Sequence, residues 1–382
     1  MESSRIMEAG LAALAAGALC LAVAGDVAAR AGAPEAVGAA GADAAEPPRS
    51  TPEPKSARFL SKTYLIDRKY KSMMGPQSSQ TVYLLRTASP ELLWVTGFKA
   101  VMVGADGEAP ISQEFMCHSN LDIDMNIHQR VFGLDRETPA RMFTLSQGQQ
   151  EIAFPEGFGI PVVSTEPFAL ATQVLNHNIE NQSFEVKHKV TVQFLRDRDL
   201  KAPIKPLLQV SAQGLVLLEG RDGYFGIQEP AAPTQGPGCL PGETASTSGG
   251  IYTDGFGRRF TGHWQVKPGR EVNRTNVTRF LNLPFDTTVH YIAVHLHPFA
   301  ESLELRDLTA GVSVFSSRAR APEGRIGLEH VDYLSSAEGL PLLKSHEYEM
   351  VSVYDNTTAE SQDSMAVMYM YVLDKEFRRP KL

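Results

Sequence analysis

Cysteine and tryptophan are scarce in this chain, which has three cysteines and two tryptophans among 382 residues. Three thiols close at most one intramolecular disulfide, so the fold is not a disulfide scaffold and hydrophobic cores must stabilise it. An excess of positive charge is also missing, since the formal net charge is -8 and no run of lysine and arginine stands out. We therefore expect neither a nucleic-acid partner nor an electrostatic patch for membranes.

Long apolar runs and long helical periodicities are scarce as well. The apolar stretch at residues 11–24 follows Arg5 and ends in AVA, the A-x-A pattern of a signal-peptide cleavage site. It is shorter than the ~20 residues that span a bilayer. We therefore interpret residues 1–24 as a signal peptide and expect a secreted or periplasmic protein. The alternative is an uncleaved anchor, which would make the membrane a partner.

Residues 25–56 are alanine, glycine, proline and glutamate with almost nothing large to bury, which predicts a flexible, disordered linker. From residue 57 onward, short β-rich runs and turn signals alternate about every ten residues, as in a β-sandwich or jelly roll. A polar, proline-marked segment at residues 196–203 predicts a domain boundary. We therefore predict an all-β protein with two jelly-roll-like β-sandwich domains in tandem, at residues 57–203 and 204–382.

The β-rich runs give individual strand predictions in both domains. They lie at residues 81–85, 92–95, 98–103, 169–175 and 187–194, and then at 263–266, 278–283, 288–297, 312–315, 348–354 and 365–373. A proline- and glycine-rich surface loop at residues 228–250 interrupts the second domain and carries Cys239. Cys117 is either the disulfide partner of Cys239 or a buried small hydrophobic residue.

The strand at residues 289–297 carries two histidines with the spacing H-x-H. Alternate residues of a strand point to the same face, so His295 and His297 lie on one side, within reach of one metal ion. The opposite face is apolar and packs in a core. An H-x-H pair also occurs by chance, so the pair alone does not decide. His263 and His290 are expected to be core or hydrogen-bonded strand residues.

Three segments around this pair resemble a known family. They are HWQVKPG at residues 263–269, the H-x-H strand with the PFA that follows it at 298–300, and QDSMAVMYMY at 362–371. In this order they resemble the second domain of the copper type II, ascorbate-dependent monooxygenases, the family of the peptidylglycine and dopamine β-monooxygenases. The resemblance covers residues 207–373.

The resemblance implies that His295, His297 and Met365 bind the copper that activates O2. It further implies hydroxylation of an aliphatic C–H bond in a small-molecule substrate, with ascorbate as the reductant. The ligand chemistry agrees, because a thioether is a soft ligand that favours Cu(I) and imidazole suits both oxidation states. The alternative for Met365 is a core residue, as we expect for Met368 and Met370.

Substrate contacts are suggested by the same strands. Tyr369 shares a strand face with Met365 and Val367, so it is a candidate catalytic residue lining the substrate cleft, or else an ordinary strand aromatic. The peptide-amidating members of the family bind the substrate carboxylate with an arginine at the position of Ala293. Without a guanidinium, bidentate carboxylate recognition is lost, which disfavours a peptide with C-terminal glycine. Val367 stands at a position where those members have an amide side chain, and its apolar side chain indicates a less polar substrate.

The first domain resembles the family more weakly, through residues 64–77 and 114–118. The family has two adjacent histidines where this chain has Cys117 and His118. Its third ligand follows a Gln-Val dipeptide, and here that position is Leu175, which cannot bind a metal. The second copper of the family, which supplies electrons, therefore has a degraded site in this sequence.

The residues leave three interpretations of this first site open. In the first interpretation, Cys117, His118 and His177 form a repurposed centre, since His177 shares the face of the third family position on an unbroken strand. In the second, the site binds no metal. In the third, the missing ligand is another histidine, His128 or His188. The alternative function is accordingly a non-catalytic, single-copper-binding or interaction protein derived from the family, and a third possibility is a two-domain ligand-binding protein with an accidental H-x-H.

Overall fold

The computed structural model describes residues 52–136, 138–218, 251–253 and 258–382. The predicted signal peptide, the predicted linker up to residue 51 and the loop at 228–250 with Cys239 lie outside the described residues. Within the described part, no helix is long and apolar enough to cross a membrane.

The first half of the chain forms β-strands, some with alternating burial and others buried throughout. They are β1 Lys55–Leu60, β2 Tyr64–Ile66, β3 Gln77–Val82, β4 Leu92–Gly104, β5 Met116–Ile123, β6 Arg141–Ser146, β7 Glu151–Ala153, β8 Phe158–Val163, β9 Phe168–Val174 and β10 Phe184–Arg196. Helical turns are short: α1 at Met125–Phe132 and 3-10 turns at Gln113–Phe115 and Asp197–Asp199. Along β10 every second side chain is buried, the period of a strand with one face on a core, whereas β6 and β8 are buried throughout.

The second half continues with strands β11 Lys205–Gln213, β12 Val216–Leu217, β13 Ile251–Thr253, β14 Arg259–Thr261, β15 Trp264–Val266, β16 Gly269–Asn276, β17 Thr287–Leu296, β18 Ala300–Asp307, β19 Val312–Arg320, β20 His330–Val331, β21 Leu334–Leu342, β22 Tyr348–Asn356, β23 Gln362–Ser364 and β24 Ala366–Leu373. A single helical turn, α2 Thr278–Leu281, precedes β17. The predicted all-β class is confirmed.

The largest sheet runs through both halves of the chain. Its strands follow the order β1-β10-β4-β8-β11-β24-β17-β21, and β2 and β7 pair with β10 and β4. β8 and β11 join in parallel across the predicted boundary at residue 203, with Phe158 opposite Lys205. A four-stranded sheet, β3-β9-β5-β6, and a five-stranded sheet, β16-β22-β18-β19-β20, complete the sandwich layers. The described residues belong to one compact unit, and the division into two domains stays a prediction.

Two hydrophobic cores lie between facing sheets. The first joins β4 and β10 to β5, β6 and β9, and includes the stacked rings of Phe98 and Phe143. The second joins β17 and β24 to β16, β18 and β22. β24 supplies both: Val367, Tyr369 and Tyr371 enter the first core, whereas Ala366, Met368, Met370 and Val372 enter the second. β24 is therefore buried on both faces.

The strand predicted at residues 278–283 is wrong, because this segment begins with the helical turn Thr278–Leu281. The Asn276 side chain accepts a hydrogen bond from the first helical N–H at 3.2 Å, and the Val277 carbonyl accepts one from the last helical residue at 3.0 Å. A short apolar run fits one helical turn and a strand equally well. The strand predicted at residues 81–85 overlaps β3 only at residues 81–82, and residues 83–85 are not in a strand. The remaining predicted strands are present with shifted ends, and those at 92–95 and 98–103 merge into β4.

The turn before β3 is held tightly against β9. The Gln173 amide donates to the carbonyls of Met73 (3.0 Å) and Gly75 (2.9 Å). A Cβ atom added to Gly75 would lie 1.9 Å from the carbonyl oxygen of Val174, which is backbone and cannot rotate away. Glycine is therefore required at this position.

We predict that Gly75→Ala lowers the free energy of unfolding by about 3 kcal/mol or more, because the new methyl group overpacks a backbone contact. Gly104→Ala is the matched control, since its added Cβ would meet nothing closer than 3.6 Å. The control should change stability by less than about 1 kcal/mol. Urea unfolding followed by circular dichroism measures both values, and equal stabilities for the two variants would contradict the prediction.

Candidate metal centre

The register of β17 and β24 brings the predicted copper ligands together. The last pairs are His295 with Val367 and Leu296 with Ala366. Continuing this register by one residue places His297 opposite Met365, which lies between β23 and β24. The register thus places the three residues at one end of the two strands, although Met365 is distant from the histidines in sequence.

The two imidazole rings have the separation expected for ligands of one metal ion. The ring centroids of His295 and His297 are 5.3 Å apart and the ring planes are 87° apart. With a metal–nitrogen bond of about 2 Å, each ring centroid lies about 3.2 Å from the metal, which gives about 5–6 Å between centroids at tetrahedral angles. Both rings are only 3% exposed, and Met365 is fully buried.

Three of the four ring nitrogens of this pair have no hydrogen-bond partner among the described residues. They are Nδ1 and Nε2 of His295 and Nε2 of His297. Nδ1 of His297 instead faces Asp363, 3.4 Å from its carbonyl oxygen and 3.5 Å from Oδ2. Metal-bound histidines typically direct their second nitrogen to a carbonyl or carboxylate in this way. Nε2 of His297 is therefore the atom available to a metal.

Burial keeps these imidazoles neutral. Desolvation, followed by the charges of His263 and Arg141, lowers the pKa of His295 to about 3. Desolvation, followed by His295 and His263, holds the pKa of His297 well below its ordinary value. A neutral imidazole keeps the lone pair that binds a metal, so no proton must be removed near neutral pH.

His263 belongs to the same cluster. Its ring centroid lies 5.7 Å from that of His297, and it is 1% exposed. Neither of its ring nitrogens has a partner in the described part of the chain, and burial lowers its pKa to about 4. The sequence predicted a core or hydrogen-bonded residue, and only its place in the HWQVKPG segment drew attention to it.

The first-domain residue His118 also lies beside this cluster. Burial holds its pKa well below the ordinary value, and the neighbouring charges that lower it further are, in order, those of Arg141, His295, His188 and His263. A residue predicted for a separate first site therefore neighbours the second-domain histidines.

The other residues predicted for the first site form no three-residue ligand set within the described residues, although His177 lies close enough to His297 to lower the pKa of that residue further. Cys117 is a buried free thiol, and burial raises its pKa to about 12, so it is not a thiolate, the form that binds metals. Leu175 packs in the first core with it. Nε2 of His177 lies 3.4 Å from the Ser72 hydroxyl. Burial, followed by two nearby lysines, lowers the pKa of His177 to about 4.

The two alternative histidines have partners of their own. Nδ1 of His128 lies 2.8 Å from Oε2 of Glu166, a contact that fixes α1. Nδ1 of His188 lies 2.7 Å from the Ser119 hydroxyl, and burial lowers its pKa to about 3. His128 is therefore a structural residue, whereas His188 lies next to His118 with its Nε2 unpartnered.

Histidine, cysteine and carboxylate side chains alone do not form a ready metal site. Across the described ranges, no group of three or more such residues is arranged to hold a metal ion. A metal centre here depends on the thioether of Met365 together with His295 and His297, or on a change of side-chain rotamers.

Tyr369 is fully buried in the first core. It pairs with Ala293 across the sheet, and its hydroxyl lies near Arg141 and Thr144. Arg141 is itself buried and paired with Asp122. Tyr369 thus shares the face of Met365, as the alternation predicted, and its catalytic role stays a prediction.

A large cleft lies elsewhere in the described part of the chain. It encloses about 690 Å³ between α1, β11 and α2, and none of the predicted ligands lines it.

We predict that acid destabilises the metal-free protein through these histidines. Unfolded imidazoles have a pKa near 6.5, whereas folded His295 titrates at about 3 and His263 at about 4. The unfolded chain therefore binds more protons below about pH 6.5, and the stability present above that value is lost as the pH falls through the folded pKa values.

His295→Gln should make this dependence shallower by up to about 1.4 kcal/mol per pH unit, the contribution of one proton. Urea unfolding in chelator at several values between about pH 7 and pH 4 measures the slope. The same slope in parent and variant would show that His295 is not buried in its neutral form.

Comparisons with known proteins add no function. No protein-family model and no curated protein matches the chain. Among solved structures it is similar to the major capsid protein P2 of bacteriophage PM2, with 10% identity, a TM-score of 0.29, and coverage of 84% of this chain and 100% of that one. It is also similar to the STIV MCP, with 9% identity, a TM-score of 0.29, and coverage of 84% and 97%. Similarities this low carry no argument about function.

Proposed function

We propose that the protein is a copper-dependent monooxygenase that is exported from the cytoplasm. In this proposal His295, His297 and Met365 bind one copper ion, and the protein hydroxylates an aliphatic C–H bond of a small molecule with O2 and ascorbate. The observation that carries the proposal is the set of buried imidazole nitrogens on the H-x-H pair that have no partner among the described residues.

A buried polar atom without a partner costs about 1–3 kcal/mol, so native proteins rarely keep one without a reason. Three such nitrogens on two adjacent histidines favour a ligand that the polypeptide does not supply. These atoms are buried away from bulk solvent. A metal ion bound through one nitrogen of each ring would satisfy one nitrogen of His295 and Nε2 of His297.

Copper suits this donor set better than zinc. The third side chain at the site is a thioether, which binds soft Cu(I) and is a poor ligand for the harder divalent ions. Imidazole binds both oxidation states of copper, so two histidines and one methionine suit a metal that cycles between them. Met365 is also held in place, because the Tyr354 hydroxyl donates to its carbonyl oxygen at 2.5 Å.

A bound copper would supply the electron exchange with O2 that hydroxylation requires. The chain itself keeps His295 and His297 neutral by burial and orients His297 through Asp363. Ala293 and Tyr369 fill the neighbouring cross-strand position. Ala293 supplies no guanidinium for a carboxylate, which disfavours a substrate that carries one.

A non-catalytic copper protein is the second candidate, and the burial of the site favours it. His295, His297, Met365 and Tyr369 are at most 3% exposed, so a substrate needs an opening that none of the described clefts supplies. A protein that stores or transfers copper needs no such opening.

We predict that Met365→Ile weakens Cu(I) binding selectively, because it keeps most of the apolar volume and removes the thioether. Met368→Ile is the matched control, since Met368 is equally buried three residues along but packs in the second core. Both variants should lose less than about 1.5 kcal/mol of stability, the range of volume-conserving swaps. Cu(I) competition titrations and urea unfolding measure the two properties.

Equal Cu(I) affinities for the two variants would contradict the assignment of Met365 as a copper ligand. The copper content of the untagged parent tests the function itself: about two ions per chain supports the enzyme, about one favours the non-catalytic protein, and none rejects both. Ascorbate-dependent O2 consumption that is lost in Met365→Ile and kept in Met368→Ile would establish the catalytic alternative.

A further inference from the structure

Met365 is flanked by strands on two sides, and each flanking strand brings a histidine to it. β15 and β23 pair through Trp264 with Ser364, Gln265 with Asp363 and Val266 with Gln362. Continuing this register by one residue places His263 opposite Met365. On the other side, the register of β17 and β24 places His297 opposite Met365. The methionine therefore has an imidazole on each side.

The state of His263 is unlike that of a structural histidine. Both of its ring nitrogens are buried without a partner, whereas the ring nitrogens of His290 lie 2.8 Å from the Thr288 hydroxyl and 3.0 Å from the Ser336 carbonyl. The His263 nitrogens are buried away from bulk solvent. Both ring nitrogens of His295 are likewise buried without a partner among the described residues. We therefore expect His263 and His295 to bind the same kind of partner.

We propose that His263 is a third imidazole ligand of the copper ion bound by His295, His297 and Met365. This inference rests on the proposed copper function and extends it. The 5.7 Å between the ring centroids of His263 and His297 lies in the range of about 5–6 Å for two imidazoles on one metal. The three rings do not face one common point in the described structure, so the His263 ring must rotate toward Met365 and His297 on binding.

A third imidazole changes which oxidation state the site favours. Nitrogen ligands stabilise Cu(II) more than a thioether does, whereas the methionine stabilises Cu(I). Loss of His263 should therefore weaken Cu(II) binding more than Cu(I) binding, the reverse of the effect expected for loss of Met365.

The experiment counts coordinated imidazoles in the full chain loaded with Cu(II), using pulsed electron paramagnetic resonance, and titrates Cu(II) and Cu(I). His263→Phe removes both nitrogens, and His263→Gln keeps a polar side chain if the phenyl ring is not accommodated. His290→Gln is the matched control, a buried histidine on β17 whose nitrogens already have partners.

We expect three imidazoles in the parent and in the control, and two in both His263 variants. Cu(II) affinity should fall at least ~100-fold in those variants, since even the loss of a residue that only orients a ligand costs about 10–100-fold. Two imidazoles in the parent, or parental Cu(II) affinity in a folded His263 variant, would overturn the inference and leave the copper function standing. A parent that binds no copper would overturn both. If neither variant folds, two imidazoles in the parent would overturn the inference, and three that persist in His118→Gln would support it, because His118 also lies beside the cluster.

Discussion

The burial of both faces of β24 is the constraint on which the rest of the structure depends. Odd-numbered side chains from Val367 to Tyr371 pack in the first core, and even-numbered ones from Ala366 to Val372 pack in the second. A slip of one residue would exchange the two sets, so the register of β24 with β11 and β17 is fixed by packing on both sides. Met365 immediately precedes this strand, and its position is therefore fixed as well.

Desolvation then determines the chemistry of the histidines that this register gathers. In water an imidazole is partly protonated near neutral pH, but burial disfavours the charged form and lowers the pKa of His263, His295 and His297. Neutral rings placed side by side do not repel one another as cations would. The same burial leaves several of their nitrogens without a partner among the described residues, so a metal ion that coordinates them would stabilise the folded state.

The sequence predicted what depends on local alternation. A period of two correctly assigned the faces of β17 and β24, because each residue's direction follows from its neighbours along the strand. It failed at residues 278–283, where a short apolar run fits a helical turn as well as a strand. It did not indicate that β8 pairs with β11, or that His263 and His118 lie beside the H-x-H pair, because those contacts depend on pairing between distant strands.

Anomalous diffraction at the copper absorption edge, from crystals of the copper-loaded full chain, tests the central claim most directly. The account predicts a peak at the end of β17 and β24, with a ring nitrogen of His295 and of His297 at about 2 Å and the sulfur of Met365 slightly farther away. A peak bound by other residues, or no peak between these three side chains, would contradict it.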